Sequence, residues 1–269
     1  MQISNKVFVV TGGGNGIGRE VVLELVRRGG RVAAVDLSED GLAETALLAS
    51  STHPRLSIHA LDITDRTAVE ALPENVLAAH GQVDGLVNVA GIIQRFKRLS
   101  ELSFDEIERV MNVNFWGTVN IDKAFLPILV KRPAASLVNV SSMSALAPIP
   151  GQSAYGASKA AVKLLTEGLY AEMRGTNVAV TVVFPGAIAT NITANSGVEM
   201  PASTEAPAAK QPKTTSPTSA GTQIVDAIEN GSYRLLIGGD ARWLDRFARL
   251  MPRRATITIA DKMKSLLEK

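Results

Sequence analysis

Residues 7–18 read Val7-Phe8-Val9-Val10-Thr11-Gly12-Gly13-Gly14-Asn15-Gly16-Ile17-Gly18, and this stretch decides the fold. Four consecutive apolar residues suit a strand buried on both faces, as the strands of parallel sheets are. A glycine cluster then lets the chain turn. Ile17, Val21 and Leu25, with Val22 and Val26, follow at helical spacing up to Arg28. Gly29-Gly30 supply the stop, since glycine tolerates the left-handed conformation past a helix end. Arg31 to Val35 is the next strand and closes on Asp36. In an open parallel sheet the first turn lies at the carboxyl end of a strand, where helix N–H groups attract anions and glycine lets a pyrophosphate approach the backbone. The spacing Gly12-x-x-x-Gly16-x-Gly18 departs from the commoner G-x-G-x-x-G. Asp36 nevertheless stands 18 residues past Gly18, near the ~20 expected of an acid that binds the adenosine ribose hydroxyls.

Asp36 also discriminates between dinucleotides. A 2′-phosphate beside it would meet like charge, costing up to ~4 kcal/mol per unit pair at ~4 Å and an effective dielectric of ~20. No Arg or Lys stands at Asn15 or Leu37 to offset this. The expected cofactor is therefore NAD rather than NADP. The bland alternative is that Asp36 only caps the segment before Ser38.

Outward from this unit, strands and helices alternate. Ser38 is a plausible N-cap for a helix through about Ala49. Leu56 to Leu61 is a third strand, ending at Asp62, and Pro73 is expected to kink or split the helix after Asp65. Val83 to Val89 is a fourth strand, ending in Ala90-Gly91. Ser103-Phe104-Asp105-Glu106 is a capping box that opens one long helix through Val110, Val113 and Phe125. Ser136 to Val140 and Val178 to Phe184 are strands flanking a helix from Tyr155 to Arg174. Gln223 to Glu229 is helical, Arg234 to Ile237 a last strand, and Asp240 to Met251 an amphipathic helix. The fold class expected is α/β: a Rossmann-type doubly wound parallel sheet of about seven strands with helices on both faces, one domain across residues 1–269. From Ala194 to Gly221 no apolar period is visible and four prolines occur. A segment at about 190–221 is expected to be a surface excursion or a mobile lid over a site.

Composition excludes several functions. The chain has 269 residues, no Cys, and 28 Lys+Arg against 26 Asp+Glu, for a formal charge of +2. There is no disulfide framework, Cys-based metal site or thiol nucleophile. The near-zero charge argues against nucleic acid, no apolar run approaches the ~20 residues of a spanning helix, and no secretory signal is visible. His53, His59 and His80 lack ligand spacing, so no metal is expected. His80, just before Gly81, is expected at a helix C-terminus, where positive charge is favoured. Trp116 and Trp243 are expected in packing, and Arg253-Arg254 as a solvated pair. A cytoplasmic protein without membrane or nucleic-acid partners is the expectation.

Tyr155-Gly156-Ala157-Ser158-Lys159 opens the long helix that precedes the strand from Val178. Residues i and i+4 share a helical face, so Tyr155 and Lys159 point the same way. A free tyrosine titrates near ~10, and a cation one turn away favours the phenolate. Bringing that value to neutrality needs roughly 4 kcal/mol of differential interaction, within reach of Lys159 plus an oxidised nicotinamide. Lys163 shares the face but lies ~12 Å along the axis, so a structural or solvated role is expected. Ser142 lies 13 residues before Tyr155 at the end of a strand. Alternation means that only one of Ser141 and Ser142 faces a common site.

Taken together, TGGGNGIG at Thr11–Gly18, Asp62, NVAG at Asn88–Gly91, Asn114, Ser142, YGASK at Tyr155–Lys159 and PG at Pro185–Gly186 resemble the short-chain dehydrogenase/reductase family, over about Lys6 to Asn191. Val89 departs from the family's NNAG. The resemblance implies that Tyr155 is the general acid/base, that Lys159 lowers its pKa and binds the nicotinamide ribose, that Ser142 polarises the substrate oxygen, and that the Asn114 carbonyl holds a relay water. It also implies a cofactor shell: Gly12, Asn15, Gly16, Ile17 and Gly18 at the pyrophosphate, Asp36 at the ribose, Asp62 and Ile63 at adenine, Asn88, Ala90 and Gly91 at the adenosine ribose, and Pro185, Gly186, Ile188 and Thr190 at the nicotinamide. A four-helix interface from the helices at Phe104 and Tyr155 implies a homotetramer or homodimer. The apolar stretch Ser144–Ser153, with Ile92 and Ile93, would form a substrate wall whose polar candidates are Gln94, Arg95 and Gln152. The function expected is NAD-dependent hydride exchange with a secondary alcohol or ketone. The alternatives are a 3-oxoacyl thioester reductase and, in another class, a non-catalytic dinucleotide-binding regulatory protein.

Overall fold

A computed structural model describes residues 1–49, 55–198 and 214–267. The strands β1 (Val7–Thr11), β2 (Arg31–Asp36), β3 (Leu56–Ala60), β4 (Gly85–Asn88), β5 (Ala135–Val140), β6 (Val178–Pro185) and β7 (Arg234–Ile237) form one parallel sheet. Their order is β3-β2-β1-β4-β5-β6-β7. The order reverses between β1 and β4, so the chain ends of these two strands open a crevice, the usual ligand position in such sheets. Thr11 lies opposite Val35 on one side and Asn88 on the other.

The unbroken apolar run of β1 is explained by two cores. Val7 and Val9 pack with Leu72, Val76, Ile121 and Phe125, from α3 (Arg66–His80) and α5 (Thr118–Leu129). Phe8 and Val10 face the other way, against Val21, Leu25, Ile224 and Val225, from α1 (Gly16–Arg27) and α8 (Pro217–Asn230). A strand covered on both faces has no solvent side on which to place polar residues. The remaining helices are α2 (Glu39–Leu48), α4 (Phe104–Met111), α6 (Ser153–Glu172), α7 (Ile192–Asn195), α9 (Gly239–Leu250) and α10 (Pro252–Lys262).

Several elements differ from the sequence expectation. Pro73 neither splits nor ends α3, which runs through it between an Asp65 cap that accepts from Thr67 and Ala68 N–H and a left-handed Gly81 at φ 76°. Burial of Val69, Leu72 and Val76 holds the turn whose hydrogen bond the proline removes. The long helix from Phe104 is interrupted by a π-helical stretch, Asn112–Gly117, between α4 and α5. His80 does end a helix, but burial, with help from Arg31 and His59, pushes its pKa down, so the neutral ring is favoured there. Trp116 and Trp243 are 44% and 51% exposed rather than packed inside. Arg253 and Arg254 are exposed.

Part of the excursion at 190–221 is regular. α7 lies inside it, Ile188 bridges to Thr215, and α8 starts at Pro217 under a Ser216 cap. Proline at the first helical position loses no hydrogen bond, so Ser216-Pro217 is a start signal and not a breaker. The expected lid otherwise falls on residues 199–213, which lie outside the described residues. α10 was not anticipated. It too begins with proline.

Candidate active site

The glycine turn is shaped to admit a ligand. Gly12 has φ 71°, and a Cβ there would come within 2.9 Å of Ala90 N. A Cβ on Gly18 would overlap the Gly12 carbonyl, so α1 presses closely on β1. Helices α2, α3, α4 and α8 are capped by Ser38, Asp65, Ser103 and Ser216. α1 has no side-chain cap at Asn15 and no acidic residue in its first turn. Its N–H groups and dipole are thereby left to an anionic ligand.

From this turn a groove of about 910 Å³ runs along the crevice, within the range of ligand pockets. It is lined by Gly12, Asn15, Gly16, Ile17, Gly18, Asp36, Asp62, Ile63, Ala90, Gly91 and Thr190. Several lining residues were not foreseen, among them Asp105, Glu108 and Arg109 of α4, Leu37 and Asn195. Leu37, 73% exposed, presents a bare apolar surface beside Asp36; its place directly after the acid was the available signal. Asn195, from α7, donates to Asn15 Oδ1 at 2.9 Å, a contact no local pattern announces. The Asp36 carboxylate accepts from Gly14 N at 2.9 Å and Ser38 N at 3.0 Å. It therefore caps the segment before Ser38 and lines the groove at once. Arg19 is committed elsewhere, to Gly14 O, Glu44 and Thr45.

Asn88 is not part of this lining. Its side chain is 4% exposed and turned into the sheet, donating to Asp122 Oδ1 at 2.8 Å and Asn139 Oδ1 at 2.9 Å. Its Oδ1 accepts from Thr11 Oγ1 at 3.3 Å, and Thr11 Oγ1 accepts from Val89 and Ala90 N–H. Asn139 donates to Asp122 Oδ2 and Thr166. This buried chain ties the glycine turn to the loop after β4. The Asn88 side chain shapes the Ala90 loop, because alternation along β4 points it away from the crevice. Asp122 at the centre was not singled out in the sequence. Burial raises its pKa to about 7, against the opposing donors Asn139 and Asn88.

The inner end of the groove meets α6. A Cβ on Gly91 would lie 3.0 Å from Lys159 Nζ and 3.2 Å from Asn114 Oδ1. Tyr155 and Lys159 sit one turn apart on α6, and Ser142 lies near enough to the Tyr155 phenol to favour its ionised form. Ser142 also caps a 3-10 turn, Met143–Ala145, accepting from Ser144 N at 3.1 Å. Ser141 points the other way and donates to Lys159 O at 2.7 Å, as strand alternation requires. Asn114 lies in the π-helical stretch. Its amide donates to Ile92 O and Ser158 Oγ, and its carbonyl accepts from Thr118 Oγ1. π-turns often mark functional sites because they displace a carbonyl from the regular ladder. Lys163 pairs with Glu167 at 2.8 Å.

The charge states differ from the sequence expectation. Burial pushes the Tyr155 phenol up, with Ser142 opposing. Burial also lowers Lys159 to about 8, and its Nζ donates to Val140 O at 3.0 Å. The protein atoms alone do not acidify the phenol.

The polar candidates of the substrate wall are already engaged. Gln94 accepts from Tyr155 N at 2.8 Å and donates to Gly151 O at 3.2 Å, while Gln152 donates to Gln94 O at 2.8 Å. Gln94 thus caps the helix that carries Tyr155. Arg95 pairs with Glu106 at 2.6 Å, and with Ser103 it holds that carboxylate at about 2. On the other side, Pro185 ends β6, and Gly186 and Ile188 lie in the following loop, which Asp240 anchors through Ala187 N at 2.6 Å; a Cβ on Gly186 would overlap Asp240.

Comparison with known proteins places this geometry. The sequence pattern described as short chain dehydrogenase matches residues 6–200. The chain belongs to the short-chain dehydrogenase/reductase family. SadH of Mycobacterium tuberculosis, an oxidoreductase by name, is 38% identical over 251 residues, covering 91% of each chain. The 3-oxoacyl-[acyl-carrier-protein] reductase FabG of Thermotoga maritima is 34% identical over 193 residues, 72% of this chain and 78% of that one. A short-chain dehydrogenase/reductase from Burkholderia phymatum, solved in complex with NAD, superposes with a TM-score of 0.82 at 25% identity, over 95% of this chain and 97% of its own. One from Burkholderia cenocepacia, in complex with NADP, gives 0.80 at 26%, over 96% and 99%. Members of this family are oxidoreductases that bind nicotinamide dinucleotides. The uncapped start of α1 and the groove from Gly16 to Gly91 fit such a cofactor in this chain.

Proposed function

We propose that this short-chain dehydrogenase/reductase exchanges a hydride between NAD and a secondary alcohol or ketone, with Tyr155 as the group that exchanges the proton. The observation that carries this reading is the placing of Tyr155 one helical turn from Lys159, whose Nζ lies against Gly91 at the inner end of the groove, with Ser142 close enough to the phenol to favour its ionised form. When bound, the nicotinamide supplies the hydride acceptor or donor. Tyr155 Oη would give a proton to, or take one from, the substrate oxygen, and Ser142 Oγ would hold that oxygen in place. Lys159 would favour the phenolate and contact the nicotinamide ribose, and Asn114 O would hold a water behind it. The preference for NAD rests on Asp36 lining the groove beside the exposed Leu37, with Arg19 committed elsewhere. Pro185, Gly186, Ile188 and Thr190 would border the nicotinamide, Asp62 and Ile63 the adenine. The apolar stretch Ser144–Ser153, with Ile92 and Ile93, would favour an apolar substrate. A lid role for the segment from Thr190 is supported by Ser196 Oγ, which accepts from Ile93 N at 3.0 Å. Assembly through α4–α5 and α6 is supported by the exposed Phe104, Trp116 and Leu164.

The test is NADH absorbance over a panel of secondary alcohols and ketones, comparing wild type with Tyr155→Phe. Turnover abolished by the variant, with dinucleotide binding intact, is the expected result. Binding without turnover on any substrate would support a non-catalytic role instead. The similarity to a 3-oxoacyl thioester reductase justifies including such a thioester in the panel; the pairing of Arg95 with Glu106 removes the cation expected to greet it.

A further inference from the structure

The C-terminal helices α9 and α10 carry a segregation of charge that the reaction does not use. Between Gly239 and Lys264 there are seven Arg and Lys against three Asp, while the whole chain has a formal charge of +2. The acids of α9 are turned inward: Asp240 holds Ala187 N, and Asp245 pairs with Arg234 and Arg249. The inner stripe is satisfied too, because Leu244, Ala248 and Ile259 pack on Met143 and Ala147. A surface helix needs only one such stripe.

Yet the outer face of α9 repeats Arg242, Trp243, Arg246 and Leu250 at helical spacing, all exposed. Met251, at the break between the helices, and Arg253 and Ile257 of α10 are exposed as well. Arg242, Arg246 and Arg253 make no ion pair among the described residues. Trp243 stacks at 4.8 Å on Phe247, and Lys262 Nζ lies 5.5 Å over its ring.

We propose that this outer face docks on the surface of an anionic phospholipid bilayer. Unpaired arginines interleaved with Trp, Leu, Met and Ile match a surface of negative headgroups over acyl chains, where tryptophan sits at the boundary. A second copy of this chain fits the face less well. An isologous interface would set these arginines against one another, and charged residues are depleted from interface cores. The sequence expectation of no membrane partner rested on the length of apolar runs, which tests spanning only. No helix among the described residues is long and apolar enough to cross a membrane; docking is peripheral. Its consequence is spatial: the inner face of the same helices lies against the turn that follows Ser142.

The experiment is co-sedimentation of the full chain with phosphatidylcholine vesicles, with and without phosphatidylglycerol. Each arginine near an anionic surface contributes about fivefold in affinity, equivalent to about 1 kcal/mol. The Arg242→Gln/Arg246→Gln/Arg253→Gln variant should therefore bind phosphatidylglycerol vesicles about 100-fold more weakly. Wild-type binding should fall at high salt and vanish on neutral vesicles. In a Trp116→Phe background, Trp243 emission should shift to the blue and be quenched by brominated acyl chains. Dinucleotide affinity and melting temperature report the fold of the triple variant; should it fail to fold, Trp243→Ser/Leu250→Ser serves in its place and should also weaken binding. Wild type that ignores phosphatidylglycerol vesicles, or binding unaltered by these variants, overturns the proposal. So does a loss of self-association or of binding to an RNA oligonucleotide in the triple variant where vesicles are not bound. None of these readouts depends on turnover.

Discussion

The buried carboxylate of Asp122 offers a measurable electrostatic prediction. Its ionised form is opposed by complete burial and supported by Asn88 and Asn139, each donating one N–H. The balance leaves its pKa at about 7, against an ordinary 3.8. A folded-state pKa above the unfolded one means that the folded protein binds the extra proton between those two values. The resulting stability is fully present below the unfolded value and is lost as pH rises through about 7. Linkage over this shift gives a loss of about 2–3 kcal/mol between about pH 5 and about pH 8. Asp122→Asn cannot titrate. It also turns one amide against a neighbouring amide donor, a pH-independent cost of about 1–3 kcal/mol for the group left unpaired. Urea unfolding of both proteins at the two pH values isolates the effect, because every other titration cancels in the difference. The variant should be the less stable protein at the acidic value, and its deficit should shrink, or reverse, by about 2–3 kcal/mol at the alkaline one. A difference that stays flat with pH would refute the reasoning: the two asparagines would then hold the carboxylate ionised throughout, and donor geometry would outweigh desolvation.

Three other outcomes follow from the site. Asp36→Ala should improve NADP affinity by roughly tenfold, about 1.4 kcal/mol, and reduce NAD affinity by fluorescence titration; an unchanged ratio would show that Asp36 only braces Gly14 and Ser38. Gln94→Leu leaves Tyr155 N–H without its partner, at about 1–3 kcal/mol, while Gly151 O keeps Lys97 N–H, so kcat and melting temperature should fall while dinucleotide Kd holds. An effect on KM alone would instead make Gln94 a substrate contact. Ser57 Oγ sits 2.8 Å from the Nε2 atoms of both His59 and His80, whose pKa values are lowered by burial from 6.5. The neutral rings contribute stability present above that value and lost as pH falls through the lowered ones. His59→Gln/His80→Gln should therefore flatten the acid side of the stability profile, as calorimetry from about pH 7 to about pH 5 would show.

Much of the site was legible because its signals are local. The residues from Gly12 to Gly18 announce their turn by spacing, Asp36 by ending a strand, and Tyr155 and Lys159 by lying four apart. What was not legible involved partners distant in sequence. The Asn88 amide is engaged by Asp122, 34 positions away. Gln94 looked like a substrate contact until Tyr155 N, 61 positions away, was found on its carbonyl. Pro73 reads as a helix breaker, and only the packing of α3 on the sheet shows why the helix survives it.

The sequence by itself determined the alternation of strands and helices, the glycine turn and the placing of a tyrosine and a lysine one helical turn apart, because each is written in residue type and short-range period. Tertiary structure decided which way those groups face and what charge they carry. The order of the strands brings Asp122 under Asn88, seats Lys159 against Gly91 and turns the acids of α9 inward. Burial, a property of the whole packed molecule and of no single stretch of chain, then sets their protonation.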